Sequence, residues 1–139
     1  MTGEGDKART VPAAGTVIRA AHFPARAPID SYGNGGFRFA DMSHRGSLLC
    51  LPSGIHGWEV ASPSEIAVDT LGRVLEQAEA IEVLLVGTGA DLVPLEPALR
   101  AKLKEAGIGA DPMATGAAVR TFNVLLSEER AVAAALIAV

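Results

Sequence analysis

The chain has 139 residues, 49% of them hydrophobic, 20% charged and 4% aromatic, with a formal net charge of −4. That apolar share excludes a disordered chain, and the length is one domain's worth of sequence. Its 12 basic against 16 acidic residues argue against a nucleic-acid module, and the single cysteine, Cys50, excludes an internal disulfide framework and a multi-cysteine zinc knuckle.

The opening MTGEGDKARTVPAAG is polar, carries Glu4 and Asp6, and lacks the apolar stretch of a secretory signal. The same acids oppose a transit peptide. Residues 1–16 read as a loose N-terminal tail, and 17–139 as a single α/β domain. From Val17 to about Val60, Gly and Pro punctuate the chain as they do between short strands. Ile29 to Tyr32 and Phe37-Arg38-Phe39 flank Gly33-Asn34-Gly35-Gly36, and Asn-Gly between such runs signals a hairpin. Ser47 to Leu51 reads as a strand, and Pro52-Ser53-Gly54 turns the chain into another over Ile55 to Val60.

From Asp69 the rhythm becomes helical. Leu71, Val74, Leu75 and Ala78 share one helix face, Arg73, Glu76, Gln77 and Glu79 take the wet side, and Asp69 is placed to cap the first turn. Ile81 to Val86 is a continuous apolar run of strand length, suited to burial on both faces, and Gly87-Thr88-Gly89 ends it. A second helix starts near Glu96 with Pro97 in its first turn, carries a stripe of Leu95, Leu99, Leu103 and Ala106, and stops at Gly107. Ile108 to Met113 reads as a strand. Thr115 offers a cap for a third helix, whose inner face is Ala118, Phe122, Leu125 and Leu126.

Ser127 to Arg130 turns the chain into AVAAALIAV, Ala131 to Val139. Its nine residues fall short of the roughly twenty that span a bilayer, so a buried terminal strand is expected, with no membrane insertion. The C-terminal half is therefore β-α-β-α-β, and crossovers of this length favour parallel strands. The expected architecture is an α/β domain with a mixed sheet and an N-terminal β-hairpin layer.

Residues that could carry chemistry are sparse. Gly87-Thr88-Gly89 lies where dinucleotide folds hold pyrophosphate, but the third fingerprint glycine is replaced by Leu92, and Pro94 and Pro97 remove N–H donors. A tight turn explains the same residues. His44, Cys50 and His56 recur at six-residue intervals, wider than zinc ligands usually stand, and no metal site is expected. Ser53 lacks the G-x-S-x-G elbow of a nucleophile, and Asp41, His44 and Ser47 make a triad only on paper. Trp58 suits either an interface anchor or the core. Arg120 and Asn123 sit off the apolar stripe of the third helix, one turn from Thr115, where backbone N–H groups favour anions. The candidate ligand site is thus Gly87, Thr88, Gly89, Thr115, Arg120 and Asn123, with no catalytic set and no cofactor expected.

Several of these segments carry a resemblance. Ser31-Tyr32-Gly33-Asn34-Gly35-Gly36-Phe37-Arg38-Phe39, then Gly46 to Gly54 with Trp58, then Leu84-Leu85-Val86-Gly87-Thr88-Gly89, and finally Met113 to Leu125, match in order. Over roughly Ile29 to Ile137 the chain resembles a small uncharacterised-domain family of bacterial and archaeal proteins related to mitochondrial respiratory complex I assembly factor 3. The resemblance implies a compact α/β fold with a mixed sheet and action by protein association, alongside a second assembly factor in the eukaryotic case. It implies no catalytic set, and Gly87, Gly89, Thr115, Arg120 and Asn123 fall within its motifs. The expected function is a non-enzymatic binding or assembly module with a protein partner, cytoplasmic and soluble. The alternative is a small-molecule or anion-binding protein or enzyme whose site lies between the Gly87–Gly89 turn and the Thr115–Asn123 helix start.

Overall fold

In the computed structural model the described residues are 22–139, so the tail expected over 1–16 and the domain start at Val17 lie outside them. A short strand, β1 (His22–Phe23), comes first. β2 (Ser31–Gly33) pairs antiparallel with β3 (Gly36–Phe39), and the intervening Asn34 and Gly35 hold φ of 53° and 79°. Two successive positive φ angles give the turn whose twist matches that of its strands, as the Asn-Gly pair signalled. A second turn at Ala40-Asp41, with φ of 47° and 61°, leads into β4 (Met42–Arg45), which completes a three-stranded sheet. The sequence reading did not place β4. Its turn adopts left-handed backbone without a glycine, so no turn signal announced it.

The main sheet has six strands in the order β1-β6-β5-β9-β7-β8, adding β5 (Ser47–Leu51), β6 (Gly54–Trp58), β7 (Val83–Gly87), β8 (Gly109–Met113) and β9 (Val132–Leu136). β7 runs parallel to both β8 and β9, while β9 is antiparallel to β5 and joins the two halves of the sheet. The α/β class, the mixed sheet and the hairpin layer agree with expectation. The apolar C-terminal run forms a central strand, with Val132 to Ile137 buried throughout.

Side-chain alternation divides the core into two layers. Leu49 and Leu51 of β5, Leu84 and Val86 of β7, and Ala133 and Ala135 of β9 face the first. Trp58, Leu71, Val74, Leu99 and Leu103 complete it. Leu48, Cys50, Leu85, Val132, Ala134 and Leu136 face the second layer, with Phe37 and Phe39 from the small sheet and Ala118, Val119 and Phe122 from a helix. Adjacent residues of one strand thus serve opposite layers, as period-2 geometry requires.

Helix α2 (Pro97–Glu105) begins with Pro97, and Gly107 follows it with φ of 87°. Helix α3 (Thr115–Ser127) buries Ala118 and Phe122, with Leu125 and Leu126 packed at the margin. Two expectations are corrected. The helix expected from Leu71 onward shrinks to one α turn, α1 (Gly72–Glu76), between 3-10 turns at Asp69–Leu71 and Ala78–Ala80. It ends at Gln77, whose backbone leaves the helical region at φ −113° and ψ 21° and whose side chain reaches the β5–β6 turn, accepting from the Ser53 N–H at 3.0 Å and donating to Ser53 Oγ at 2.8 Å. Asp69 accordingly lies within the first 3-10 turn and caps nothing. Thr115 is likewise not the cap of α3. Ala114 holds that position without a side-chain bond, and the Thr115 hydroxyl is used elsewhere.

Candidate functional site

The β-α-β crossover brings the carboxyl end of β7 against the start of α3, so Gly87, Thr88, Gly89 and Thr115 do meet. The Gly89 N–H donates to Thr115 Oγ1 at 3.0 Å, and the Thr115 N–H returns to the Gly89 carbonyl at 2.8 Å. The Thr115 hydroxyl donates to the Ile137 carbonyl at 2.7 Å, and the side chain is fully buried. Thr88 is organised in the same way. Its hydroxyl lies 2.6 Å from the Asp91 carbonyl and accepts the Val93 N–H at 2.9 Å, closing the loop after β7. Gly87 is required by proximity, since a Cβ there would lie 2.9 Å from Thr115 Oγ1 and 3.0 Å from its Cα. These groups satisfy one another's hydrogen-bonding capacity.

Arg120 and Asn123 lie further along α3. Arg120 is exposed and makes no ion pair among the described residues. Asn123 turns toward the segment before β2, where its carbonyl accepts the Ile29 N–H and its amide donates to the Ile29 carbonyl, both at 2.9 Å. The side chain thus pairs with Ile29 as a neighbouring strand would. Asn123→Ala leaves both groups unpaired beside a buried Ile29, and a loss of about 1–3 kcal/mol in urea denaturation is expected. Arg120→Ala is expected to stay within about 0.5 kcal/mol in the same experiment.

The histidines are placed by strand register. His56 pairs with Leu49 and His22, which sets its ring on the α1 side of the sheet, whereas Cys50 faces the other layer. The two lie on neighbouring strands with their side chains on opposite faces of the sheet, so the six-residue spacing does not bring them together. Burial pushes the Cys50 thiol up to about 12, which leaves it an inert core residue. The paper triad does not assemble: His44 Nε2 contacts the Ser47 carbonyl at 3.1 Å, and Ser47 Oγ accepts the Ala138 N–H at 3.0 Å. Trp58 is a core residue whose indole N–H donates to the Thr70 carbonyl at 2.7 Å. No spacing signal pointed to the contact between Ser53 Oγ and His56 Nε2 at 3.0 Å, or to the tilted packing of the His22 and His56 rings, 5.4 Å apart.

Burial holds His56 below the ordinary imidazole pKa, and the positive charges of Arg73 and His22 act in the same direction. An unfolded chain takes up this proton near pH 6.5, while the folded chain resists it to lower pH. Below about 6.5 the unfolded state therefore binds more protons, and the His56 contribution to stability falls as pH is lowered through that window. The urea midpoint is expected to drop between pH 7.5 and 5.5, with a shallower drop in His56→Gln.

Comparison with known proteins follows this architecture. Residues 29–137 match the family model described as "Protein of unknown function (DUF498/DUF598)". An uncharacterized protein of Rhodobacter capsulatus is 44% identical over 115 residues, covering 83% of this chain and 87% of that protein. NADH dehydrogenase (ubiquinone) 1 alpha subcomplex assembly factor 3 of Danio rerio is 39% identical over 109 residues, 78% of this chain. The match spans 63% of that assembly factor's own length. A crystal structure of a Bartonella henselae protein, described as an outer membrane protein, superposes with a TM-score of 0.81 at 62% identity, covering 84% of this chain and 98% of that one.

Proposed function

The chain belongs to the DUF498/DUF598 family, and from that premise we propose that it is a non-enzymatic module for the assembly of a respiratory membrane complex, acting through protein contacts on the cytoplasmic side. One observation carries the reading: the 39% identity to an assembly factor of NADH dehydrogenase extends over 109 residues. No helix among the described residues is long and apolar enough to cross a membrane, which suits a module working beside a membrane complex. The loop between β7 and α2 offers a place for contacts, since it presents Leu92 and Val93 in succession, 57% and 36% exposed. Exposed apolar side chains side by side suit a protein surface that is covered in a complex.

The alternative of a small-molecule site at the Gly87–Gly89 turn is less well supported. The hydroxyls of Thr88 and Thr115 and the Gly89 N–H are occupied within the fold, and Arg120 stands exposed without a second charged group beside it in sequence. The test is deletion in the native host, with native-gel analysis of assembled NADH dehydrogenase and crosslinking to a tagged chain. The expected result is less assembled complex and crosslinks to its subunits or assembly intermediates. Undiminished assembly in the deletion strain would overturn the reading.

A further inference from the structure

The chain is acidic overall, yet one hollow collects basic side chains from four separate elements. It has a volume of about 540 Å³ and lies at the β1–β6 edge of the main sheet, on the α1 side. His22 comes from β1, His44 and Arg45 from β4, His56 from β6 and Arg73 from α1. All 3 histidines of the chain are present, and among the described residues of the lining the one carboxylate is Glu59. Neither Arg45 nor Arg73 makes an ion pair among the described residues. The two arginines therefore line one concavity with no ion pair of their own among the described residues, beside the three histidines. Concave walls of low dielectric concentrate such a field. Burial disfavours protonation of His56, and Arg73 and His22 add to that effect.

We propose that this hollow binds a phosphate-class oxyanion. A tetrahedral dianion presents acceptors in several directions, and the donors here arrive from β1, β4, β6 and α1. A planar carboxylate would match a single guanidinium fork. A second hollow of about 300 Å³ adjoins the first over the small sheet, sharing His44 and Arg45 and adding Arg38, whose guanidinium donates to Ser43 Oγ at 2.9 Å. It gives room for the body of a molecule that carries the oxyanion. The groups facing His56 are His22 on β1, Arg73 on α1 and the Ser53 hydroxyl, with Arg45, His44 and Glu59 around the rim. An anion bound among them favours imidazolium, so binding takes up a proton.

Sulfate is the suitable probe, because its charge stays constant between pH 5.5 and 8. It is titrated against the full chain at ionic strength fixed with chloride, following the ring resonances of His22 and His56 by NMR. Saturable shifts are expected, with affinity rising by up to about tenfold per pH unit as pH falls through the His56 titration. Arg73→Ala is expected to weaken binding by about tenfold or more, and Arg45→Ala with Arg73→Ala to remove saturation. Glu59→Gln, which deletes a carboxylate from the rim, is expected to tighten it by about two- to fivefold. All three side chains are exposed, and unchanged circular dichroism verifies the fold of each variant. Phosphate and phosphoserine at pH 7 separate the sources: tighter phosphoserine assigns the ligand's body to the adjoining hollow, and equal affinities assign a free anion. Shifts that do not saturate, pH-independent affinity, or unchanged binding in the double arginine variant would overturn the proposal.

Discussion

Replacing Phe122 with alanine is expected to lower the unfolding free energy by about 3–5 kcal/mol. Phe122 is 2% exposed and stands in the middle of α3, in the layer where that helix meets the main sheet and the small sheet at once. Its ring shares this layer with Phe37 and Phe39 of β3 and with Leu85 and Leu136 of the main sheet. Truncation removes the transfer energy of the ring and leaves a cavity that two sheets and a helix cannot jointly close. A domain of this size is stable by roughly 5–15 kcal/mol, so one substitution consumes a large part of that margin. Urea denaturation of Phe122→Ala against Val124→Ala makes the comparison. Val124 lies two residues along the same helix and is 54% exposed, so its truncation is expected to stay within about 0.5 kcal/mol. Equal effects would mean that α3 does not hold the two sheets together.

Thr115→Val is expected to cost about 2–4 kcal/mol although the side-chain volume hardly changes. The exchange keeps the shape and deletes the hydroxyl, so the Ile137 carbonyl loses its donor and the Gly89 N–H its acceptor. Leaving a buried polar group without a partner costs more than a made hydrogen bond contributes. Thr115→Ser keeps the hydroxyl and is expected to retain more than half of the difference in a denaturation series. If valine proved as stable as threonine, the hydrogen bonds that tie β7, α3 and the chain end together would be incidental. The hydroxyl would then be free for the ligand role its position near a helix start suggested.

The two substitutions mark different degrees of legibility. Phe122 was assigned to the inner face of its helix from spacing alone, because the 3.6-residue period is a local property. Thr115 was brought to the right junction for the right reason, since a β-α-β crossover puts the end of one parallel strand beside the start of the next helix. Its role as a cap was still wrong, because its true partner, Ile137, lies 22 residues away on the far side of β9. The short α1 failed for a similar reason. Its apolar face was correctly read, but the backbone leaves the helix at Gln77, whose side chain bonds to a turn 24 residues earlier in the chain. β4 escaped notice because the Ala40-Asp41 turn takes positive φ with no glycine at either position.

What the sequence determined by itself is the run of elements from β7 to β9, the Asn34-Gly35 hairpin and the α/β class. Each depends on near neighbours: a buried run, a helical stripe, a residue that tolerates left-handed backbone. The tertiary structure alone decided that β9 would stand centrally between β5 and β7. It also decided that His22, His44, His56, Arg45 and Arg73 would line one hollow. These five span 52 positions of chain, and which face each takes depends on strand register, where a slip of one residue reverses the side chain. The net charge of −4 argues against a nucleic-acid module, but a sum over the chain carries no position. Only folding could show that an acidic protein gathers two arginines and three histidines around one hollow.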